Sequence, residues 1–235
     1  MRETAARRLE QIYNNWLNEL KVNAPFIFED KYSNPDFMSI PEKWFDTTGP
    51  RIMVVGEERF GEWGNGKRQA EPVPPEAIAT IQQFHKDYLE SQLEQEESEL
   101  NTSAFWRRFR RIAEYGLCSW TNIDKFHVLG LSNCALSNSA REKIHSVDTK
   151  ILFEEIAILN PTHIVFFGWH GESLKYELPE LYKALYPTGK NDSSVWKNNV
   201  VPIEHGGRTY IFAYHPNRRS KAYEDKVLEV LLAHL

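Results

Sequence analysis

The sequence predicts an α/β fold in which helices cover both faces of a parallel sheet. Two observations lead there. Four short runs rich in branched and aromatic residues, Arg51–Gly56, Ser119–Ile123, His163–Gly168 and Thr209–Ala213, have the length and composition of buried strands. Between them lie longer segments whose apolar residues recur every three or four positions, as on amphipathic helices. Strands that alternate with helices of this kind are joined by crossovers and run parallel.

Taken in order, Leu9, Ile12, Tyr13, Trp16, Leu17 and Leu20 form one stripe and predict an opening helix over about 3–21. A Pro- and Asn-rich connection leads to Gly49-Pro50 and the first strand, which stops at Gly56. Residues 61–75 are broken by glycine and proline, and an acidic helical insertion is expected over about 76–100, with Ile78, Ile81, Phe84 and Leu89 as its apolar side. Phe105, Trp106, Phe109, Ile112 and Ala113 mark another helix, and Trp106 reads as core. Ile151, Phe153, Ile156, Ala157 and Leu159 mark the next, which must end at Asn160-Pro161 because proline removes a donor and restricts its predecessor. Tyr223, Val227, Val230 and Leu231 lie on a closing helix. One domain over 1–235 is the expectation for this length.

Composition narrows the function classes. With 41% hydrophobic and 26% charged residues the chain has ordinary globular make-up, which excludes fibrous and disordered classes. The net charge of −5 gives no global positive field for nucleic acid. Five glutamates fall within Glu90–Glu99, so the rest of the chain is close to neutral. Two cysteines, Cys118 and Cys134, can supply neither a disulfide framework nor the four thiolates of an iron–sulfur cluster. Together with a charged N-terminal segment lacking an apolar signal core, this predicts a cytoplasmic protein away from the membrane.

Ligands of open α/β sheets bind beyond the carboxyl ends of the strands, so the residues following each strand are the candidates. They are Gly56, Glu57, Glu58 and Phe60; Asn122, Asp124 and Lys125; Gly168, Trp169 and His170; and Tyr214, His215, Asn217, Arg218 and Arg219. Carboxylates, an amide, imidazoles, aromatics and a basic pair on one edge suit acid–base chemistry on a flat heteroaromatic ligand. His85, His127, His145, His163, His205 and His234 lack the spacing of a metal site, so no metal and no cofactor are expected. Gly61, Gly66 and Lys67 match a phosphate-binding loop in spacing, but Arg68 replaces the hydroxyl residue that would bind magnesium, and the motif is rejected. Arg107, Arg108, Arg110 and Arg111 form either the wet side of a helix or a grip on phosphates.

Gly56-Glu57-Glu58, Thr121-Asn122-Ile123-Asp124-Lys125, the segment from Leu159 to Gly168 and His215-Pro216-Asn217 resemble, in order and spacing, the motifs of the uracil-DNA glycosylase superfamily over about residues 50–220. Gly56 to Gly64 with Phe105-Trp106, Trp120 and Asn122 are similar to an uncharacterised bacterial branch of it. The resemblance implies a three-layer α/β/α fold with a four-stranded parallel central sheet. It also implies hydrolysis of the N-glycosidic bond of uracil or another altered base flipped into a pocket, as in DNA repair.

Under it, Glu57 or Glu58 would steer water, His215 would stabilise the departing base, and Gly56, Phe60, Asn122 and Gly168 would bind the base. Arg218 and Arg219 would meet the backbone of single- or double-stranded DNA. The chain departs from the family in having Glu58-Arg59 where proline follows the first motif, in lacking the four cysteines of its iron–sulfur members, and in having Asn217 in place of serine. The alternatives are a catalytically inactive protein of the same fold that binds nucleic acid or a nucleotide, and a hydrolase of a small nucleoside-like substrate.

Overall fold

The computed structural model describes residues 1–29, 32–56, 77–94, 100–126, 150–168, 174–189, 199–216 and 219–235. Helix α1 (Arg2–Asn23) buries Ala5, Leu9, Tyr13, Trp16, Leu17 and Leu20, the stripe its sequence predicts apart from half-buried Ile12. Pro25 then converts the chain to a short 3₁₀ turn, Pro25–Phe28. Strand β1 (Arg51–Gly56) is followed by α2 (Ile78–Glu94) and α3 (Ala104–Ala113). Ser103 caps α3, its Oγ accepting from the Trp106 N–H at 3.4 Å.

Strand β2 (Leu117–Asn122) begins two residues before the expected start. Residues 150–159 form helix α4, which closes where Asn160 takes a φ of 48° and Pro161 follows. Strand β3 (His163–Phe167) leads to α5 (Leu174–Glu177) and α6 (Pro179–Leu185), then β4 (Val201–His205), β5 (Arg208–Ala213) and α7 (Lys221–Leu232).

The strands form one sheet in the order β2-β1-β3-β5-β4. The four expected strands are all parallel: β1 pairs β2 and β3, and β3 pairs β5. The expectation of a four-stranded sheet is corrected by β4, a fifth strand antiparallel to β5. Its two-residue link, Gly206-Gly207, has φ of 58° and 73°, conformations that glycine adopts without strain and that match the twist of a tight hairpin. The strand escapes sequence detection because Val-Pro-Ile-Glu-His is only half-buried and contains Pro202, a residue an edge strand tolerates.

Alternate residues of each strand face opposite sides, and helices cover both. Met53, Val55, Ile164, Phe166, Tyr210 and Phe212 pack under α1, α4 and α6. Ile52, Val54, Trp120, Val165, Phe167 and Ile211 pack under α3 and α7. Helix α2 gives Ile78 and Ile81 to the first cluster and Leu89 to the second. Its buried side carries Ile78, Ile81 and Leu89 as expected, but not Phe84. His85 is fully buried, whereas Phe84 is 39% exposed.

The reason lies in hydrogen bonding: the Ser39 main-chain N–H donates to His85 Nδ1 at 3.1 Å. An N–H can only donate, so Nε2 carries the proton and donates to the Trp120 carbonyl at 3.1 Å in edge strand β2. The imidazole also stacks on the Trp120 ring at 4.6 Å. No helix among the described residues is long and apolar enough to cross a membrane.

Candidate functional site

Parallel registers bring the carboxyl ends of β1, β2, β3 and β5 to one edge of the sheet. Gly56 lies opposite Asn122, the Ile123 N–H donates to the Gly56 carbonyl at 3.0 Å, and the Gly168 N–H donates to the Ala213 carbonyl at 3.1 Å. Gly168 has a φ of 94°, a left-handed conformation that a side chain at this position would strain. His215 follows two residues after β5 at the same edge and is half-buried. Gly56, Asn122, Gly168 and His215 therefore belong to one end of the sheet. Glu57, Glu58, Phe60, Trp169, His170, Asn217 and Arg218 lie outside the described residues.

Asn122 is 4% exposed and its Nδ2 donates to Asp36 Oδ2 at 2.8 Å. A Cβ on Gly56 would collide with Asn122 Oδ1 and stand 3.2 Å from the Phe105 ring, so the glycine is what admits the amide to this edge. Half-buried Phe105, at the start of α3, packs edge-on against Phe167 and Trp120. Beyond β5, the Tyr214 N–H donates to Tyr223 Oη at 2.6 Å, and that hydroxyl donates to the Asn199 carbonyl at 3.2 Å. Arg219 lays its guanidinium 3.9 Å from the centre of the Tyr214 ring, a cation–π contact. Helix α7 thus ties down the loop that carries His215.

Beneath the Asn122 end sits a buried polar network. Lys125 and Glu155 are both fully buried and approach to 2.7 Å. Lys125 Nζ also donates to the Thr121 hydroxyl, which donates to Glu155 Oε2 at 2.9 Å. Tyr13 Oη donates to Glu155 Oε1 at 2.7 Å and accepts from the Met38 N–H at 3.1 Å. Burial pushes the Glu155 carboxyl upward, and the Lys125 ammonium and the two hydroxyls oppose that shift. Burial, reinforced by Glu155, pushes the Tyr13 phenol well above its ordinary range. The Asp36 N–H donates to the Lys125 carbonyl at 2.8 Å, connecting the network to the candidate edge.

The four arginines of α3 have partners within the chain. Arg107 donates to the Thr102 carbonyl and Arg110 to Gln92 and the Asn101 carbonyl. Arg108 is 3% exposed and stands 3.0 Å from Glu224 of α7, short but not aligned as a hydrogen bond. Arg111 bonds Asp225 at 2.7 Å. Arg108 and Arg111 join α3 to α7 and Arg110 joins it to the end of α2, whereas exposed Arg107 bonds the turn ahead of its own helix.

Sequence reasoning missed Asp36, Tyr13 and Glu155 as parts of the site's support. Glu155 was detectable, because it stands four residues from both Ile151 and Leu159, inside an apolar stripe. Asp36 gives no such signal, since it lies in a non-repeating loop. No protein-family model matches this chain, and no curated protein is significantly similar to it.

Proposed function

We propose that the carboxyl edge of the sheet is the active site of a DNA glycosylase-like hydrolase that releases uracil or another altered base. What supports this reading most is the convergence of Gly56, Asn122, Gly168 and His215 at the ends of parallel strands. In the reaction, water steered by Glu57 or Glu58 gives its proton to that carboxylate and forms the new bond to C1′ while the C1′–N bond breaks. The electron pair flows onto the base, and His215 donates a hydrogen bond to the base oxygen as negative charge grows there. Asn122 reads the base edge, since an amide offers both a donor and an acceptor. Arg219, its face stacked on Tyr214, and Arg218 contact phosphate without reading sequence.

The test is incubation of the purified protein with single- and double-stranded oligonucleotides carrying uracil, hypoxanthine or a methylated base, followed by detection of abasic sites. Release that persists in excess chelator and falls at least a hundredfold in His215→Ala is expected. Release that requires added zinc or manganese overturns the mechanism. A second reading, a non-catalytic protein binding nucleic acid or a nucleotide, is favoured by the altered first motif, with Glu58-Arg59 where the family has proline, and by the net charge of −5. Binding of these oligonucleotides without abasic sites would select it.

A further inference from the structure

We propose that Asp36 is a positioning residue that fixes which way the Asn122 amide faces and thereby sets the base preference of the site. The inference rests on the reading of Asn122 as the base-recognising group. An asparagine amide is nearly symmetric in shape and opposite in chemistry at its two ends, so a reader of base edges needs something to choose the end. Asp36 makes the choice. It is 1% exposed, and its Oδ2 accepts from Asn122 Nδ2 at 2.8 Å. The NH₂ end of the amide therefore faces Asp36, whose carboxylate oxygen accepts from it. The carbonyl oxygen Oδ1 is then the atom lying over Gly56, where a Cβ would collide with it. Among the described residues no donor hydrogen-bonds to Oδ1.

Asp36 is itself held in place. Its N–H donates to the Lys125 carbonyl at 2.8 Å, and the Lys125 ammonium is bonded to Glu155. Thr121, adjacent to Asn122, donates to the same carboxylate. The orienting acceptor and the oriented amide therefore hang from one buried network. In this orientation Asn122 presents an acceptor and one remaining N–H, which match the N3–H and O4 of uracil. Cytosine, with a bare ring nitrogen and an amino group, needs the reverse order.

Asp36→Asn is the informative variant. It preserves size and can bond Asn122 with the amide in either direction, so it removes the choice and leaves a hydrogen bond. Single-turnover release of uracil and of cytosine is measured for both proteins at equal enzyme excess. The variant is expected to melt within a few degrees of wild type and to lose about tenfold or more of the uracil-over-cytosine ratio. An unchanged ratio in the folded variant overturns the proposal.

A measurement on the unaltered protein covers the case in which Asp36→Asn does not fold. In a ¹H–¹⁵N spectrum assigned with Asn122→Asp, the two Nδ2 protons should be widely separated, the one facing Asp36 displaced and slow to exchange. Two protons at the position of exposed asparagine amides overturn the proposal. If wild type releases neither base, the glycosylase reading fails. The spectrum then decides the role of Asp36 alone: the displaced proton supports orientation, and its absence overturns it.

Discussion

The two faces of the sheet each bury a salt bridge, and the two pairs are built differently. On the α1 and α4 side, Lys125 and Glu155 are fully buried, and both carboxylate oxygens accept from Lys125 and from the Tyr13 or Thr121 hydroxyl. On the α3 and α7 side, Arg108 is buried but Glu224 reaches solvent at 16% exposure, and the guanidinium nitrogens make no aligned hydrogen bond. Burial drives the Arg108 pKa down against the pull of Glu224. Removing two charges from water costs several kcal/mol for each ion, and attraction repays this only where the remaining lone pairs and protons are also satisfied. The first pair meets that condition through hydroxyls from two other elements, and the second does not.

The largest effect expected from this contrast is at Glu155. Replacing it with Leu strands a buried ammonium and should cost about 3–5 kcal/mol in urea unfolding. Adding Lys125→Met should recover most of the loss, because the stranded charge is then gone. A single-variant cost below about 1 kcal/mol would make the two pairs equivalent.

The α3 and α7 face also carries Cys118, whose thiol burial pushes far above its ordinary value. The folded chain keeps that proton after the unfolded chain has released it. Stability is therefore full below about pH 8.5 and falls above it, by about 1.4 kcal/mol per pH unit. Urea midpoints at pH 8, 9 and 10 should drop in wild type and drop less in Cys118→Ala. Parallel curves for the two proteins would remove Cys118 as the cause.

The smallest effect is expected at Arg108. Arg108→Met fills the same space with an apolar chain, and Glu224 keeps Arg111 at 3.6 Å, so a change within about 1 kcal/mol is expected. A loss as large as that of Glu155→Leu would show that the Arg108 pair is as well satisfied as the Lys125 pair. Equality there would end the contrast between the faces.

Strands β1, β3 and β5 were legible because strands buried on both faces are largely apolar runs, and α1 because its stripe is regular. What was not legible follows from polar residues in apolar positions. His85 stands four residues from both Ile81 and Leu89, as Glu155 does from Ile151 and Leu159. The period marks both as inward-facing, but an apolar count passes over them and selects Phe84 instead. Their burial depends on partners far away in the chain, Ser39 and Trp120 for one and Tyr13, Thr121 and Lys125 for the other. At the candidate site the strand ends were legible from topology. Asp36 was not, because the contact that gives it meaning spans 86 residues.

The bond between Tyr13 and Glu155 joins residues 142 positions apart. A ribosome adding about 5–20 residues per second takes on the order of ten seconds to cover that distance. Through that interval α1 has left the ribosome with a stripe of six residues to bury, while the helix that completes its cover has not yet been made. The first helix of the chain is thus among the last to reach its final surroundings. A nascent chain arrested before Glu155 holds Lys125 and Tyr13 without the carboxylate that joins them, so the stripe of α1 waits on residues made much later for part of its cover.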